Sequence, residues 1–337
     1  MSDPAVSSTT ARARAYANST DQLPFPVPSK VHIQEVGPRD GFQLESRVIS
    51  TDDKLQIIDA LSHSGLSTVQ LTSFVRPDAV RQLSDAAEVM ARYTRVDGTR
   101  YSVLVPNLKG AQRALAFDAD IWELMLSTTD SHSIANANRP TMEAFERLLP
   151  VIEIGLASNV ELVGGMGVAL GCPFEGRTSF ERVVDVARRY VDAGVQHVTL
   201  ADTAGLADPA SVYSTCSRLL AEVPELTVTL HLHNTRGLGM ANVIAGLAAG
   251  VTHFDSSIGG LGGCPFSSGA TGNIATEELV HMLELLGVPT GVDLDALVEI
   301  ARGAISRAVG HSLESAFEKA DPSWVRHAPP THQVLES

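Results

Sequence analysis

Residues 198–233 read VTLADTAGLADPASVYSTCSRLLAEVPELTVTLHLH. The apolar run from Val198 to Asp202 has the length of a buried strand, and a second run follows from Thr227 to His233. Between them, Asp208 followed by Pro209 is typical of a helix start, where Asp caps the first turn and Pro takes the first helical position. The stretch therefore predicts a strand–helix–strand unit of a parallel sheet.

The same alternation of short apolar runs and amphipathic stretches extends outward over most of the chain. Strand starts run from residue 31 to residue 253, so seven intervals average about 32 residues, which fits the βα repeat of a (β/α)8 TIM barrel, an α/β fold. A doubly wound open sheet is the alternative, but no Gly-x-Gly-x-x-Gly motif follows a strand. The expected strands are Val31–Val36, Thr68–Phe74, Tyr101–Val105, Ile121–Ser127, Asn159–Val168, Val198–Asp202, Thr227–His233 and His253–Ile258.

Helix ends between these strands are also marked in the sequence. Ser50 with Asp53, and Thr178 with Glu181, have the spacing of a capping box. Gly194 stands where a helix-terminating glycine belongs. These patterns predict helices that begin and end between successive strands.

The composition excludes several classes of protein. Lys and Arg number 25 against 39 Asp and Glu among 337 residues, and the net charge of −14 opposes general binding to nucleic acid or to an anionic membrane. We find no run of about 18 uncharged apolar residues, so no membrane-spanning helix is expected. The three cysteines, Cys172, Cys216 and Cys264, are too scattered for a disulfide framework and suit a reducing cytoplasm.

The chain is expected to divide into three segments. Residues 1–30 lack the apolar stretch of a secretory signal, and we expect them to form a flexible extension. Residues 31–290 form the catalytic barrel in this interpretation. Residues 291–337 begin with a helical pattern that covers a barrel end or contacts a second subunit, and they finish in a loose tail.

The expected fold places chemistry at the C-terminal ends of the strands and in the loops that follow them. His231 and His233 lie two residues apart at the end of a strand, so both imidazoles face the same side. Further polar residues stand at strand ends: Arg39, Asp40, Gln70, Ser73, Asp202 and Thr203.

A metal site follows from these positions. Asp40 comes just after the first strand and Asn273 comes after the eighth, and these two strands are neighbours in a closed barrel. Imidazole, carboxylate and amide ligands without cysteine favour a hard divalent ion, Mg²⁺ or Mn²⁺, over structural zinc. A lone histidine is more often structural and Asp40 could be a helix cap, but the His231–His233 pair favours ligation.

A glycine-rich loop follows the last strand. Residues 259–266 read GGLGGCPF, and Gly260, Gly262 and Gly263 give this segment the flexibility of a lid. Cysteine in apolar sequence is usually a packing residue, but a thiol on a mobile loop opposite a metal can transfer a proton, which makes Cys264 a candidate. Arg39 beside a metal would stabilise an oxyanion or enolate, or else form a salt bridge.

These residues resemble a known family. Residues 35–43, EVGPRDGFQ, closely resemble the first-strand motif of 3-hydroxy-3-methylglutaryl-CoA lyases, which belong to a superfamily of metal-dependent TIM-barrel lyases and synthases. Further matches stand in family order at TSFV (72–75), GCPFEG (171–176), DT (202–203), HLH (231–233), GLGGCP (260–265) and GNIATE (272–277).

The resemblance implies that Asp40, His231, His233 and Asn273 hold a divalent metal, and that an acyl-CoA thioester is cleaved to acetyl-CoA and a 3-oxo acid. It also implies a homodimer. It gives catalytic roles to Arg39, Asp40, His231 and Cys264. It gives substrate contacts to Arg39, Gln43, Gln70, Ser73, Thr203, Asn136 and Asn138. It gives an orienting role behind the metal ligands to Glu35, Asp202 and Glu277. Glu35 and Asp202 would equally serve as structural caps.

Three departures from the family concern the substrate. Gln70 and Asn234 stand where members usually carry Glu and Asp, and Ile134-Ala135 replaces a basic pair before Asn136. A lyase for another branched hydroxyacyl-CoA, such as citramalyl-CoA, therefore stays open. Two further alternatives are a Claisen-type acyltransferase like the isopropylmalate or homocitrate synthases, which lack the glycine-rich loop, and a binding protein that has lost activity.

Overall fold

The eight expected strands pair in chain order and close into one parallel barrel in the computed structural model, which describes residues 23–263 and 272–320. The first strand pairs with both the second and the eighth, so the (β/α)8 prediction is confirmed. The strands are β1 His32–Glu35, β2 Thr68–Ser73, β3 Arg100–Leu104, β4 Ile121–Ser127, β5 Glu161–Gly167, β6 His197–Asp202, β7 Thr227–Leu232 and β8 His253–Ser256.

Helices surround the barrel and connect its strands. They are α1 Thr51–Ser62, α2 Ala86–Arg92, α3 Leu108–Ala114, α4 Asp130–Ala137, α5 Thr141–Ala157, α6 Phe180–Asp192, α7 Pro209–Glu222, α8 Gly239–Ala248, α9 Thr276–Leu285, α10 Leu294–Ile300 and α11 Ser306–Val309. Short 3₁₀ turns and two wide, π-helical turns, Gly37–Gly41 and Ala301–Ile305, complete the described chain.

Two of the predicted helix starts are confirmed. The Ser50 hydroxyl accepts a hydrogen bond of 3.1 Å from the backbone N–H of Asp53 at the start of α1. Asp208 accepts from the backbone N–H of Ser211 at 2.9 Å, and the Ser211 hydroxyl accepts in return from the Asp208 N–H, so α7 begins with a complete capping box.

The predicted cap at Thr178 is wrong by one residue. Ser179 is the N-cap of α6, and its hydroxyl accepts from the backbone N–H of Arg182. The Thr178 hydroxyl instead donates to the backbone carbonyl of Val168 at 2.6 Å. Because the Thr178 hydroxyl is bonded to the loop after β5, the adjacent Ser179 caps the helix instead.

The main apolar core lies between the strands and the helices. The inner face of α6 buries Val183, Val184, Ala187 and Tyr190. Gly164 on β5 allows this close approach, because a Cβ at that position would lie 2.8 Å from the Tyr190 ring. A side chain at position 164 would therefore push α6 away from the sheet.

The C-terminal segment packs against the barrel. Leu294, Leu297, Val298, Ala301 and Ile305, the apolar positions of the helical pattern, are all buried. The backbone N–H of Asp293 donates to the carbonyl of Ser64 just after α1, which fixes the start of α10.

The predicted N-terminal extension and C-terminal tail fall partly outside the described residues, which omit 1–22 and 321–337. Where the chain is described, its helices are too short or too polar to cross a membrane.

The interior of the barrel has two ends, and a cavity lies at one of them. We call the end where the strands finish the mouth and the end where they start the base. A cavity of about 250 Å³ at the base, the basal cavity, is lined by side chains from strand starts, including His32, Glu161, His197 and His253. The His253 ring stacks on His32 at 4.4 Å between centroids and meets His197 edge-on at 5.3 Å.

The histidines that line the basal cavity should make the folded protein less stable at acid pH. Burial lowers the pKa of His253 to about 4 and also lowers the pKa of His32. Between pH 6.5 and 4 the unfolded chain binds protons that the folded protein excludes, so the free energy of unfolding falls as the pH falls through this window. Removal of one such group in His253→Asn should flatten the slope by up to about 1.4 kcal/mol per pH unit. Urea titrations at several pH values measure the slope, and an unchanged slope in the variant contradicts the prediction.

Candidate metal centre and active site

The turn after β1 places two charged side chains in the mouth. The backbone N–H groups of Arg39, Asp40 and Gly41 all donate to the carbonyl of Val36. These three bonds hold the π-helical turn in a compact conformation. Arg39 and Asp40 are consequently buried, at 5% and 6% exposure. The sequence GPRDG thus forms a compact support for a cation and a carboxylate.

Asp40, His231 and His233 form one buried cluster. Their candidate ligand atoms all lie within 4.8 Å of one another, and the His231 Nε2 is 3.7 Å from the Asp40 Oδ2. Within residues 23–263 and 272–320 this is the one group of three or more His, Cys, Asp or Glu side chains with such spacing. The predicted convergence of these three residues is therefore observed.

The hydrogen bonds of the two histidines fix which ring nitrogen faces the cluster. The His231 Nδ1 is 3.0 Å from the Asp255 Oδ2, and the His233 Nδ1 is 2.9 Å from the carbonyl oxygen of Thr203. Since these partners only accept, each Nδ1 carries a hydrogen, and Nε2 is the ring nitrogen that each histidine presents to the cluster. The His233 Nε2 is buried and has no partner among the described residues.

Asn273 completes the cluster from the segment that follows β8, the strand next to β1 in the closed barrel. Its Nδ2 donates to the Asp40 Oδ2 at 2.8 Å and to the Leu261 carbonyl at 3.0 Å. Its Oδ1 is buried and finds no hydrogen-bond partner in the part of the chain that the structure describes. An imidazole nitrogen and an amide oxygen without partners, beside a carboxylate, are what a divalent cation would satisfy, so the residues present fit a metal.

Electrostatics keeps two members of the cluster, Asp40 and His233, in the protonation state that binds a metal at neutral pH. Burial raises the pKa of Asp40, but the Arg39 charge and the two imidazoles outweigh it and lower that pKa to about 2. Burial, reinforced by His231, lowers the pKa of His233 to about 4. For His231, burial lowers the pKa, but the bond to Asp255 and the Asp40 charge raise it overall. Asp40 is therefore ionised and His233 is neutral near pH 7.

Arg39 is held between Gln70 and Asp40. Its Nε donates to the Gln70 Oε1 and its Nη1 donates to the Asp40 Oδ1. Gln70 is fully buried, and its Nε2 has no partner within the described ranges. Gln43 also donates to the Asp40 Oδ1, at 2.7 Å. The predicted residues Gln43 and Gln70 thus adjoin the cluster.

Asp202 and Thr203 support the cluster through their backbone. Both carbonyl oxygens face the His233 Nδ1, at 3.1 and 2.9 Å. The Asp202 Oδ1 accepts from the backbone N–H of Leu206 at 2.7 Å, while its Oδ2 is buried without a partner among the residues described. Burial raises the pKa of Asp202 to about 6.

The other predicted substrate residues lie in more ordinary settings. The Ser73 hydroxyl accepts from the backbone N–H of Val75. Asn136 is exposed on α4, and Asn138 is exposed at its C-cap with a left-handed φ of 57°, a conformation that asparagine tolerates. Ser73 and Asn138 therefore have local structural roles, and their contact with substrate stays a prediction.

Glu35 and Glu277 hold the turns around the cluster. The Glu35 Oε1 accepts from the backbone N–H of Gly37 at 2.7 Å and of Ile258 at 2.9 Å, so it joins the turns after β1 and β8. Both oxygens of Glu277 face the Gly259 N–H at 3.1 Å. Each acts on backbone near the ligands, and their predicted orienting role stays a prediction.

The glycine-rich loop begins against the cluster. Gly260 and Gly262 have φ values of 70° and 114°, and Gly263 is buried. A Cβ at Gly262 would lie 2.5 Å from the Asn273 Nδ2. Cys264, the predicted proton-transfer residue, lies outside the described residues.

The sequence reasoning missed a buried polar group behind His231. Gln34, Glu123 and Asp255 face the barrel interior and are linked by hydrogen bonds. The signal was present in the alternation His253-Phe254-Asp255, which places residues 253 and 255 on the same face of β8.

The family of the chain is decided by comparison with known proteins. The model of the HMGL-like family matches residues 30–303. The chain belongs to the HMGL-like family. Enzymes of this family depend on a metal, which agrees with the Asp40–His231–His233 group.

Relatives within the HMGL-like family are similar over nearly their whole length. Human mitochondrial hydroxymethylglutaryl-CoA lyase is 39% identical over 294 residues, which cover 87% of this chain and 90% of that protein. A mouse lyase named as cytoplasmic is 38% identical over 304 residues, 90% of this chain and 88% of that protein. The solved structure of an HMG-CoA lyase from Acinetobacter baumannii, in complex with coenzyme A and 3-methylmalate, has 40% identity and a TM-score of 0.84, and covers 90% of this chain and 98% of that one.

The contact between Gly262 and Asn273 predicts a loss of metal binding in Gly262→Ala. The new methyl group would displace the amide of Asn273, and the φ of 114° at position 262 is a backbone conformation that alanine rarely adopts. We expect Mn²⁺ binding to weaken at least about tenfold, as for other disturbances around a ligand. Isothermal titration with Mn²⁺ measures the change.

Gly98→Ala is a matched control, because Gly98 also has a positive φ, of 90°, but nothing lies within 4 Å of its Cβ position. Equal Mn²⁺ affinity in the two variants would show that the Gly262 contact is unimportant.

Proposed function

We propose that this protein cleaves 3-hydroxy-3-methylglutaryl-CoA to acetyl-CoA and acetoacetate with the help of a divalent metal ion. The observation that carries the proposal is the buried Asp40–His231–His233 cluster beside Arg39, in a chain 39% identical to human hydroxymethylglutaryl-CoA lyase. The relatives named above are all such lyases, and this favours the reaction over citramalyl-CoA cleavage or a synthase reaction.

Four side chains would hold the ion: Asp40 by its carboxylate, His231 and His233 by Nε2, and Asn273 by Oδ1. Two oxygen and two imidazole ligands suit Mg²⁺ or Mn²⁺. When bound, such an ion supplies Lewis acidity to the tertiary hydroxyl and a carboxylate of the substrate. For Asn273 this use explains why its Oδ1 has no protein partner in the described structure.

The reaction needs charge stabilisation on the thioester side. A base takes the hydroxyl proton, C3 becomes the ketone carbonyl of acetoacetate as the bond between C2 and C3 breaks, and the electron pair of that bond forms the enolate of acetyl-CoA, which then takes a proton at C2. Arg39 is buried and fixed by Gln70 and Asp40, so its guanidinium can stabilise the enolate without reorganising. We assign proton transfer to Cys264 together with His231.

Substrate binding would use the polar atoms left over around Arg39. The Gln70 amide gives its oxygen to Arg39, so its Nε2 is a buried donor available for a substrate oxygen. We assign the remaining proposed contacts to Arg39, Gln43, Ser73, Thr203, Asn136 and Asn138. A neutral Gln70 also leaves the Arg39 charge less compensated than a carboxylate would, which favours an anionic acyl group.

The proposed homodimer rests on the family resemblance of the sequence, and the proposed compartment rests on the scattered cysteines and on relatives named cytoplasmic. We expect an acyl-CoA thioester as the partner, a homodimer as the oligomeric state and the cytoplasm as the location. The relatives include proteins named mitochondrial and proteins named cytoplasmic. Sedimentation velocity of the purified chain tests the dimer directly.

The activity itself is tested by acetyl-CoA release with Mg²⁺ or Mn²⁺, for 3-hydroxy-3-methylglutaryl-CoA and citramalyl-CoA in parallel. We expect turnover of the first substrate, and its loss in Asp40→Asn and Cys264→Ala, since these remove a proposed ligand and the proposed proton-transfer thiol. Cleavage of citramalyl-CoA alone would overturn the assignment in favour of a diverged lyase.

Arg39→Lys separates enolate stabilisation from metal binding. Lysine keeps the charge but cannot span Gln70 and Asp40 with a planar fork, so kcat should fall about 10²- to 10³-fold. Mn²⁺ affinity should be no weaker, because Arg39 competes with the ion for Asp40. Steady-state kinetics and Mn²⁺ titration provide the two readouts, and a loss confined to Mn²⁺ affinity would contradict the role of Arg39.

A further inference from the structure

Asp255 lies directly behind His231 because of strand register. His231 on β7 and Gln34 on β1 are both Cα partners of Asp255 on β8, so the three inward side chains share one layer of the barrel. Asp255 is only 2% exposed, and its Oδ2 is 3.0 Å from the His231 Nδ1. The His231–Asp255 contact therefore follows from the register of β7 with β8, and barrel closure adds Gln34 beside Asp255.

The two histidines of the cluster are supported differently. His233 donates from Nδ1 to backbone carbonyls, which are neutral, whereas His231 faces a carboxylate. A carboxylate acceptor both fixes the tautomer and increases the electron density that the opposite ring nitrogen offers to a cation. The orientation of the His231 ring therefore depends on a side chain, that of Asp255, which a single substitution can remove. The orientation of the His233 ring depends on backbone carbonyls, which a substitution does not remove.

Asp255 is itself held in place. The Gln34 Nε2 donates to the Asp255 Oδ1 at 3.2 Å and to the Glu123 Oε1 at 2.7 Å, so one amide bridges two buried carboxyl groups. Burial, with the nearby Asp255 carboxylate, raises the pKa of Glu123, which favours a proton on that member of the pair. All three side chains line the basal cavity, so this polar group extends from the metal cluster towards the base.

We infer that Asp255 is a positioning residue for the metal centre: it fixes the Nδ1–H tautomer and the ring orientation of His231, and Gln34 fixes Asp255. This inference rests on the proposed metal centre. It goes beyond the proposed reaction, because it assigns a function to the interior layer beneath the mouth and makes its predictions for the protein with Mn²⁺ alone.

The test is Mn²⁺ titration of the purified full chain, followed by the electron paramagnetic resonance signal of the free ion. We expect Asp255→Asn to bind Mn²⁺ about 10- to 100-fold more weakly, the usual effect of removing a partner behind a metal-ligating histidine. Glu161→Gln is the matched control, since it removes the carboxylate 3.4 Å from His197 at the base of the same barrel. It should bind Mn²⁺ as the unmodified protein does.

A second readout needs no metal. In ¹⁵N-labelled protein, two-bond ¹H–¹⁵N correlations report the tautomer of each histidine ring. At a pH high enough for the His231 ring to be neutral, we expect a single Nδ1–H form for His231, and a mixture of tautomers in Asp255→Ala with His233 unchanged.

Gln34→Met, which leaves Asp255 in place, should cause a smaller loss of Mn²⁺ affinity, and it serves as the test should the Asp255 variants fail to fold. Unaltered Mn²⁺ affinity in a folded Asp255→Asn protein, an unaltered His231 tautomer in Asp255→Ala, or unaltered Mn²⁺ affinity in Gln34→Met would overturn the inference. Neither readout uses a thioester, so a failed lyase assay leaves the outcome clear.

Discussion

The hydrogen bonds between β1 and β8 close the barrel, and the candidate site depends on that closure. Asp40 follows β1 and Asn273 follows β8, so the 2.8 Å contact between their side chains spans 233 residues of sequence. The same pairing aligns Gln34 with Asp255 behind His231. Glu35 reinforces the closure, since its carboxylate accepts from Gly37 after β1 and from Ile258 after β8. Metal ligands from opposite ends of the chain meet only because the sheet has no edge.

Asp40 is the electrostatic centre of the mouth. Its two oxygens accept from Arg39, Gln43 and Asn273 and lie close to the imidazole of His231. A buried carboxylate with this many partners stays ionised, and it would be strongly destabilising if its partners were removed. Asp40 thus links Arg39, which would stabilise an enolate, to Asn273 and His231, which would hold a cation.

Much of this arrangement was predictable from the sequence. Short apolar runs at regular intervals indicated the barrel, and the rule that polar residues at strand ends converge placed Asp40, His231, His233 and Asn273 together. The cap at Thr178 was wrong because two adjacent hydroxyl residues are equivalent by local pattern, and a tertiary contact to Val168 decides between them.

Asp255 was missed for a related reason. The alternation in β8 places His253 and Asp255 on one face without showing that this face is the inner one, and the partner of Asp255 is set by the register with β7. Glu35 and Glu277 stand in motifs that pointed to an orienting role, but the backbone N–H groups from which they accept are set by the turns of the folded chain. Local patterns therefore locate the ligands, whereas the residues that orient them depend on how neighbouring strands align.

The central claim is that one divalent ion sits among Asp40, His231, His233 and Asn273. The most direct measurement is anomalous diffraction from crystals of the protein grown with Mn²⁺. The account predicts a single strong peak within coordination distance of the Nε2 atoms of both histidines, a carboxylate oxygen of Asp40 and the Oδ1 of Asn273. A peak elsewhere in the barrel, or no peak in this cluster at saturating Mn²⁺, would contradict it.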